Sequence, residues 1–409
     1  MEKKALKRDI FDEIVKYLNT DNIVVLHGAR QVGKSHILFF LDDYLKKRGK
    51  STYFFDLEDA RLVDVLNQGV DNMLLFLKNE GIDMDALKKA KGRLYIFVDE
   101  IQYLDSPSPL LKLLADHHKY IHLIVSGSSS FDIKSKFSDS LVGRTVDFEI
   151  FNLSFSEFLR FKDTALNTKR KLDDFHLKKI KGLYKEYVLF GGYPKIVMEN
   201  SIEKKEKYIS QIIDTYIKKD IRDLAKIKDV AKFNNLLKVL ASQSGQLLNV
   251  AKIADTCSLS KPTVEKYLFI LENTYVIKLV SPFSSSAKVE VVKSPKIFFY
   301  DTGILKLLWM NAFPQNSAGN TFETSIFAEL AKKYGARNIH YWRNRNQNEI
   351  DFVLQFKDKL LPIEVKTNFR NFRKSSMGSF LKKYRVKDYK VVSIEGEKRG
   401  ENYFYPWEL

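Results

Sequence analysis

Cysteine is almost absent from this sequence of 409 residues. The single Cys257 excludes an intrachain disulfide and any thiolate-cluster metal site, and it points to a reducing compartment, the cytoplasm. Long apolar runs are missing as well. The longest, such as Leu94–Val98 and Ile121–Val125, fall far short of the ~20 residues that a bilayer-spanning helix needs, so no membrane partner is expected. The opening Met1-Glu2-Lys3-Lys4 is charged and leads into an amphipathic stretch, which does not fit a secretory signal. No repeat or low-complexity segment is found. What is present is the balance of a folded protein, 44% apolar and 29% charged residues. At roughly 100–200 residues per domain, the length suggests two to four domains.

The formal net charge is +17, and it is unevenly spread. Residues 1–155 carry 22 Lys and Arg against 23 Asp and Glu. Residues 156–285 carry 24 against 15, and residues 286–409 carry 22 against 13. The basic excess therefore lies in the C-terminal part, where it can attract a polyanion such as DNA. A lysine-rich, solvated surface is the plainer alternative.

Ile23–Leu26 is a short apolar run followed by His27-Gly28-Ala29-Arg30-Gln31-Val32-Gly33-Lys34-Ser35. This is G-x-x-x-x-G-K-[ST] directly after a strand. A helix should follow over Ser35–Leu45, where Ile37, Leu38, Leu41 and Leu45 recur at near-helical spacing. The glycines let backbone N–H groups face a β-phosphate at a positive helix end. The expected nucleotide-binding residues run from Gly28 to His36: Gly28, Ala29, Arg30, Gln31, Val32, Gly33, Lys34, Ser35 and His36. Lys34 supplies a charge to the β- and γ-phosphates of ATP, and Ser35 supplies a hydroxyl to Mg²⁺.

Arg93–Val98 reads as a buried strand that ends in Asp99-Glu100. Such a strand places Asp99 at the carboxyl end of a parallel sheet, where open α/β sheets bind ligands. Asp99 is then the second Mg²⁺ ligand, and Glu100 is the general base that polarises the attacking water. The paired acids favour hydrolysis over transfer to a small molecule. A further apolar strand, Ile121–Val125, ends in hydroxyls placed to sense the γ-phosphate. Ser126 and Ser128 are both candidates, with Ser128 preferred. Thr52–Phe55 is another strand, so strand–helix alternation predicts a doubly wound parallel sheet. Arg144 is a candidate for acting on the γ-phosphate in cis or from a neighbour; a surface arginine after a turn glycine is the equal alternative.

Together, His27–Ser35, Phe97–Tyr103, Ser126–Ser130, Leu141–Arg144 and Leu153-Ser154-Phe155-Ser156-Glu157-Phe158 resemble the ordered motifs of certain prokaryotic AAA-type ATPases. Archaeal-type signal-transduction ATPases are similar. Members carry a C-terminal domain of unknown function with a restriction-endonuclease-like core. The resemblance spans essentially the whole chain, because Phe190-Gly191-Gly192-Tyr193-Pro194 also fits. It implies ATP binding.

Residues 156–225 read as a helical connector in which Ile209, Ile212, Ile213, Tyr216, Ile217 and Ile221 repeat at three and four. Gly191-Gly192-Tyr193-Pro194 is a turn between helices. In residues 226–285, Phe233–Ala241, Val250–Thr256 and a segment opened by Ser260-Lys261-Pro262 are helices, and Tyr275–Val280 is a strand. Ser260 is a plausible N-cap. Three short helices and a β-wing resemble a winged helix-turn-helix, with Lys261 and Lys266 outward as phosphate contacts. A protein-contact or autoinhibitory unit is the alternative.

Residues 286–409 carry a further constellation. Lys296–Tyr300 is a strand with Asp301-Thr302-Gly303 at its end, and Gly319–Leu330 is a helix bearing Glu323. Glu349–Leu354 and Leu360–Lys366 form a hairpin in which Glu364 and Lys366, two apart, share a face and Asp351 lies alongside. With Glu323 they form an oxygen-donor set suited to a second Mg²⁺ or to Mn²⁺, with Lys366 orienting water. This looks like the D…(D/E)-x-K pattern of restriction-endonuclease-like and Holliday-junction-resolvase-like enzymes. The pattern's usual proline before the aspartate is missing, since Glu349-Ile350 precede Asp351. The expected architecture is thus an α/β P-loop ATPase domain (1–155), a helical connector (156–225), a winged helix (226–285) and a restriction-endonuclease-like α/β domain (286–409). The expected function is an ATPase controlling a nuclease-like domain, or alternatively a non-cleaving nucleotide switch that binds DNA or a protein. Oligomeric state is not legible in the sequence.

Overall fold

The computed structural model describes residues 6–127, 141–164, 172–222, 226–227, 229–284, 294–313, 319–344, 346–357 and 359–409. The chain divides into two compact units, Met1–Asn152 and Leu153–Leu409. The first holds the phosphate-loop motif, and the second runs from residue 153 onward.

In the N-terminal unit the elements run β1 (Ile23–His27), α1 (Lys34–Lys46), β2 (Ser51–Asp56), β3 (Leu94–Asp99), α2 (Pro107–His117), β4 (Ile121–Gly127) and β5 (Thr145–Glu149). The five strands are parallel, in the order β2-β3-β4-β1-β5. Strands β1, β3 and β4 are buried at every position, as unbroken apolar runs in a sheet covered on both faces must be. On one face Val25, Ile96 and Leu123 pack with Leu110, Leu111 and Leu114 of α2. The buried Ile37, Leu38, Leu41 and Leu45 belong to α1, which runs beside β2, β3 and β4. Strand β4 separates β1 from β3. The loop after β1 and the acids after β3 therefore open on the same carboxyl edge with β4 between them.

The C-terminal unit begins with α3 (Phe155–Phe161), opened by a capping box between Ser154 and Glu157. Then come α4 (Asp174–Phe190) and α5 (Ile202–Ile212), which widens into a π-helix over Ile213–Asp220. Ile209, Ile212, Ile213, Tyr216, Ile217 and Ile221 are all buried, as their spacing predicts. Three helices follow: α6 (Val230–Ser242), α7 (Val250–Cys257) and α8 (Lys261–Asn273). Ser260 caps α8, accepting from the Thr263 amide at 3.3 Å. An antiparallel pair comes next, β6 (Ile277–Val280) with β7 (Lys296–Phe299). After α9 (Thr302–Met310) and α10 (Gly319–Tyr334) come β8 (Ile339–Arg343), β9 (Glu349–Gln355), β10 (Leu360–Val365), β11 (Lys390–Val392) and β12 (Tyr403–Phe404). These five form a mixed sheet in the order β12-β11-β10-β9-β8. The predicted hairpin is β9–β10, and its register sets Phe352 opposite Ile363.

Two motifs far apart in sequence form one lock in this unit. The Asp301 carboxylate accepts from the Ile304 amide at 2.9 Å, capping α9, and from the Gly192 amide at 2.9 Å. It leaves no space beside Gly191, where an added Cβ would stand 2.2 Å from Asp301 Oδ1 at a φ of 78°. Gly182, exposed within α4, has no such neighbour. Gly191→Ala is expected to destabilise the protein by about 1–3 kcal/mol, and Gly182→Ala to stabilise it by up to about 1 kcal/mol. Urea unfolding of both variants measures this; equal midpoints would contradict the lock.

Candidate functional site

The loop after β1 is shaped by what it passes. The Ile150 amide donates to the His27 carbonyl at 2.7 Å, and a Cβ on Gly28 would stand 2.0 Å from the Ile150 carbonyl oxygen. Only glycine lets the chain leave β1 at this point. Helix α1 then starts at Lys34, so the free amides of its first turn face the carboxyl edge of the sheet. The Lys34 ammonium is buried and donates to the carbonyls of Gly28 at 3.1 Å and Ala29 at 2.9 Å. Burial pulls its pKa below the ordinary lysine value, against the opposing pull of the Glu100 and Asp99 carboxylates.

At the end of β3, Asp99 is buried. The Ser126 hydroxyl at the end of β4 donates to Asp99 Oδ1, and the Glu100 amide donates to the same oxygen at 3.2 Å. Ser126 is fully buried. It holds the carboxylate, a role that the sequence pattern did not separate from phosphate sensing. Glu100 adopts a left-handed backbone with φ 55°, and the Gln102 side-chain amide donates to its carboxylate. Ser35 lies half-buried in the first turn of α1. The Ser35 hydroxyl and the Asp99 carboxylate are both hard oxygen donors, the set that suits Mg²⁺.

Ser128 lies outside the described residues. Arg144 immediately precedes β5, and its carbonyl accepts from the Ile23 amide at 2.8 Å. It therefore sits at the amino edge of the sheet, ~13 Å of strand away from the loop that follows His27. Its guanidinium grips Asp116 of α2 at 2.8 and 3.1 Å. This placement does not bring Arg144 to a phosphate held by its own loop. A residue that the sequence reading missed, Arg8, is buried and donates to the Val32 carbonyl in the loop and to the Phe151 carbonyl, both at 2.8 Å. An arginine before the first strand gives no local signal for this.

The C-terminal unit gathers its own charges. Asp351 Oδ2 accepts from the Val365 amide at 2.7 Å. Lys366 donates to Glu364 at 2.7 Å and lies 3.6 Å from Asp351. Asp351, Glu364 and Lys366 thus meet on one sheet face as the spacing predicts, and Glu323 of α10 belongs to the same charged cluster. Burial, helped by the Asp351 charge, pushes Glu364 up to about 7 and Glu323 up to about 8. A lysine outside the expected set, Lys296, stands 2.5 Å from Glu349 and 3.3 Å from Glu323. Among the described residues, no group of three or more His, Cys, Asp or Glu is disposed to hold a metal ion. Nor is any helix among them long and apolar enough to cross a membrane.

Residues 20–159 match a family described as "AAA domain". Residues 181–316 and 318–405 match two families described as domains of unknown function, DUF8612 and DUF4143. Among curated proteins, an uncharacterised protein of Haemophilus influenzae is 26% identical over 376 residues, 89% of this chain and 88% of its own length. An uncharacterised protein of Methanocaldococcus jannaschii is 24% identical over 372 residues, 88% and 77% of the two chains. Among solved structures, a Walker-type ATPase of Pyrococcus abyssi is 15% identical with a TM-score of 0.49, over 74% of this chain and 95% of that one. The ORC2 protein of Aeropyrum pernix in its ADP form is 11% identical with a TM-score of 0.36, over 80% and 93%. These structural likenesses are loose and carry no functional argument. The N-terminal unit thus has the α/β fold of a P-loop NTPase, and residues 20–159 of the chain are similar to the AAA family.

Because Ser126 is the buried donor to Asp99, Ser126→Ala is expected to cost about 1–3 kcal/mol of stability. Urea denaturation reads this; an unchanged midpoint would show that the bond contributes nothing.

Proposed function

We propose that the chain binds ATP with Mg²⁺ and hydrolyses it. The observation that carries this reading is the buried Lys34 ammonium, poised on its own loop's carbonyls beside the paired acids Asp99 and Glu100. Phosphate oxygens are stronger acceptors than carbonyls, so a triphosphate draws Lys34 off Gly28 and Ala29. The loop and the first turn of α1 offer backbone amides to the β-phosphate. Ser35 and Asp99 are the residues that would hold Mg²⁺, which when bound neutralises phosphate charge. Ser126 keeps Asp99 in place for this. Glu100, released by Gln102, takes the proton of the attacking water. Phosphate release from ATP tests the reading. Lys34→Ala should abolish turnover, and Glu100→Gln should keep nucleotide binding while slowing turnover ~10²–10⁴-fold. A Lys34→Ala variant as active as the native chain would refute it.

For the C-terminal unit, the reading best supported is a nucleic-acid-associated regulatory part that does not cut. Three helices and an antiparallel pair follow the order of a winged helix, with Lys261 and Lys266 exposed on α8. The net charge beyond residue 155 favours a polyanion. The nuclease-like alternative draws on the meeting of Asp351, Glu364 and Lys366, in which Lys366 pairs with both carboxylates. The protein incubated with Mn²⁺ and plasmid, branched DNA or RNA is expected to leave all three intact. Cleavage that disappears in Asp351→Ala would establish the alternative.

A further inference from the structure

We infer that Lys296 is the resident counter-cation of the C-terminal carboxylate cluster, and that the cluster takes no divalent metal while this lysine is in place. This deepens the non-cutting reading and rests on it, yet it concerns metal binding and is read separately from cleavage.

Lys296 opens β7 and is 4% exposed. Its ammonium reaches Glu349 of β9 at 2.5 Å and Glu323 of α10 at 3.3 Å. Lys366 covers the other half, 2.7 Å from Glu364 and 3.6 Å from Asp351. Each of the four carboxylates therefore has an ammonium partner. A divalent cation needs several oxygens at ~2.0–2.6 Å, and on Glu323 and Glu349 it would compete with the Lys296 ammonium already beside them; Glu364 Oε2 is buried without a partner.

Lys296 is also held from behind. Its backbone pairs with Val280 in the β6–β7 ladder and bridges to Leu247. The Gly245 turn stands over Glu323, where an added Cβ would lie 3.5 Å from Oε2, and the Tyr341 ring centre is 5.8 Å from the ammonium. The side chain has little room to swing aside for an incoming metal. Its source matters too. Lys296 comes from the strand pair after the three helices, whereas the acids come from α10, β9 and β10. The cation is thus an internal plug, delivered by one substructure to the acids of another.

The test is Mn²⁺ binding to the nucleotide-free full-length chain, read from the loss of free Mn²⁺ signal in electron paramagnetic resonance. The native chain and Asp351→Asn should bind Mn²⁺ equally. Lys296→Met should gain about one Mn²⁺ per chain, and Lys296→Met combined with Glu323→Gln, which removes an acid that Lys296 pairs, should lose it again. Lys296→Arg, which keeps the charge, should gain none. A native Mn²⁺ site that vanishes in Asp351→Asn would overturn the inference, as would a folded Lys296→Met with no gain. Should Lys296→Met fail to fold, Lys296→Gln takes its place, and a folded Lys296→Gln with no gain would likewise overturn the inference.

Discussion

Burying an ammonium ion is the constraint on which the N-terminal unit turns. Lys34 is 5% exposed, and a lone buried charge costs several kcal/mol. Two things offset that cost: the Gly28 and Ala29 carbonyls, and the negative potential of Glu100 and Asp99. The acids can contribute only if β3 ends on the same edge as β1, which a parallel sheet ensures. Strand β4 lies between the two and supplies Ser126 to fix Asp99. The site is built around a positive charge held ready for a better acceptor than it now has.

The C-terminal unit meets the same physics with the signs exchanged. There the buried groups are carboxylates, and lysines answer them. Glu323 and Glu364 are pushed toward the neutral form by burial and by Asp351. Lys296 and Lys366 oppose that push. In one unit a buried lysine rests on backbone carbonyls beside two acids; in the other, lysines pair with buried acids, with Glu364 Oε2 left without a partner. Both show acids and lysines in close order along the sequence.

Much of the first site was legible because its parts are contiguous. Gly28 to Ser35 is one loop and turn, and Asp99-Glu100 is one strand end, so local pattern places them. Ser126 was ambiguous because its role depends on strand order, which no local pattern encodes. The edge on which Arg144 lies was hidden for a related reason: a residue just before a strand lies at the opposite sheet edge from one just after it, out of reach of its own loop. In the C-terminal unit the two-residue period placed Glu364 with Lys366, and the hairpin brought Asp351 alongside. Lys296 escaped because its partners come from α10 and β9. A lysine heading the otherwise apolar strand Lys296-Ile297-Phe298-Phe299 was the available hint, since a buried lysine requires buried acids.

The most direct test of the central claim is calorimetric titration of the purified chain with Mg²⁺ and ATP, set beside the same titration of Lys34→Ala. The structure predicts saturable binding by the native chain that is lost in the variant. Equal binding by both proteins, or none by the native chain, would contradict it.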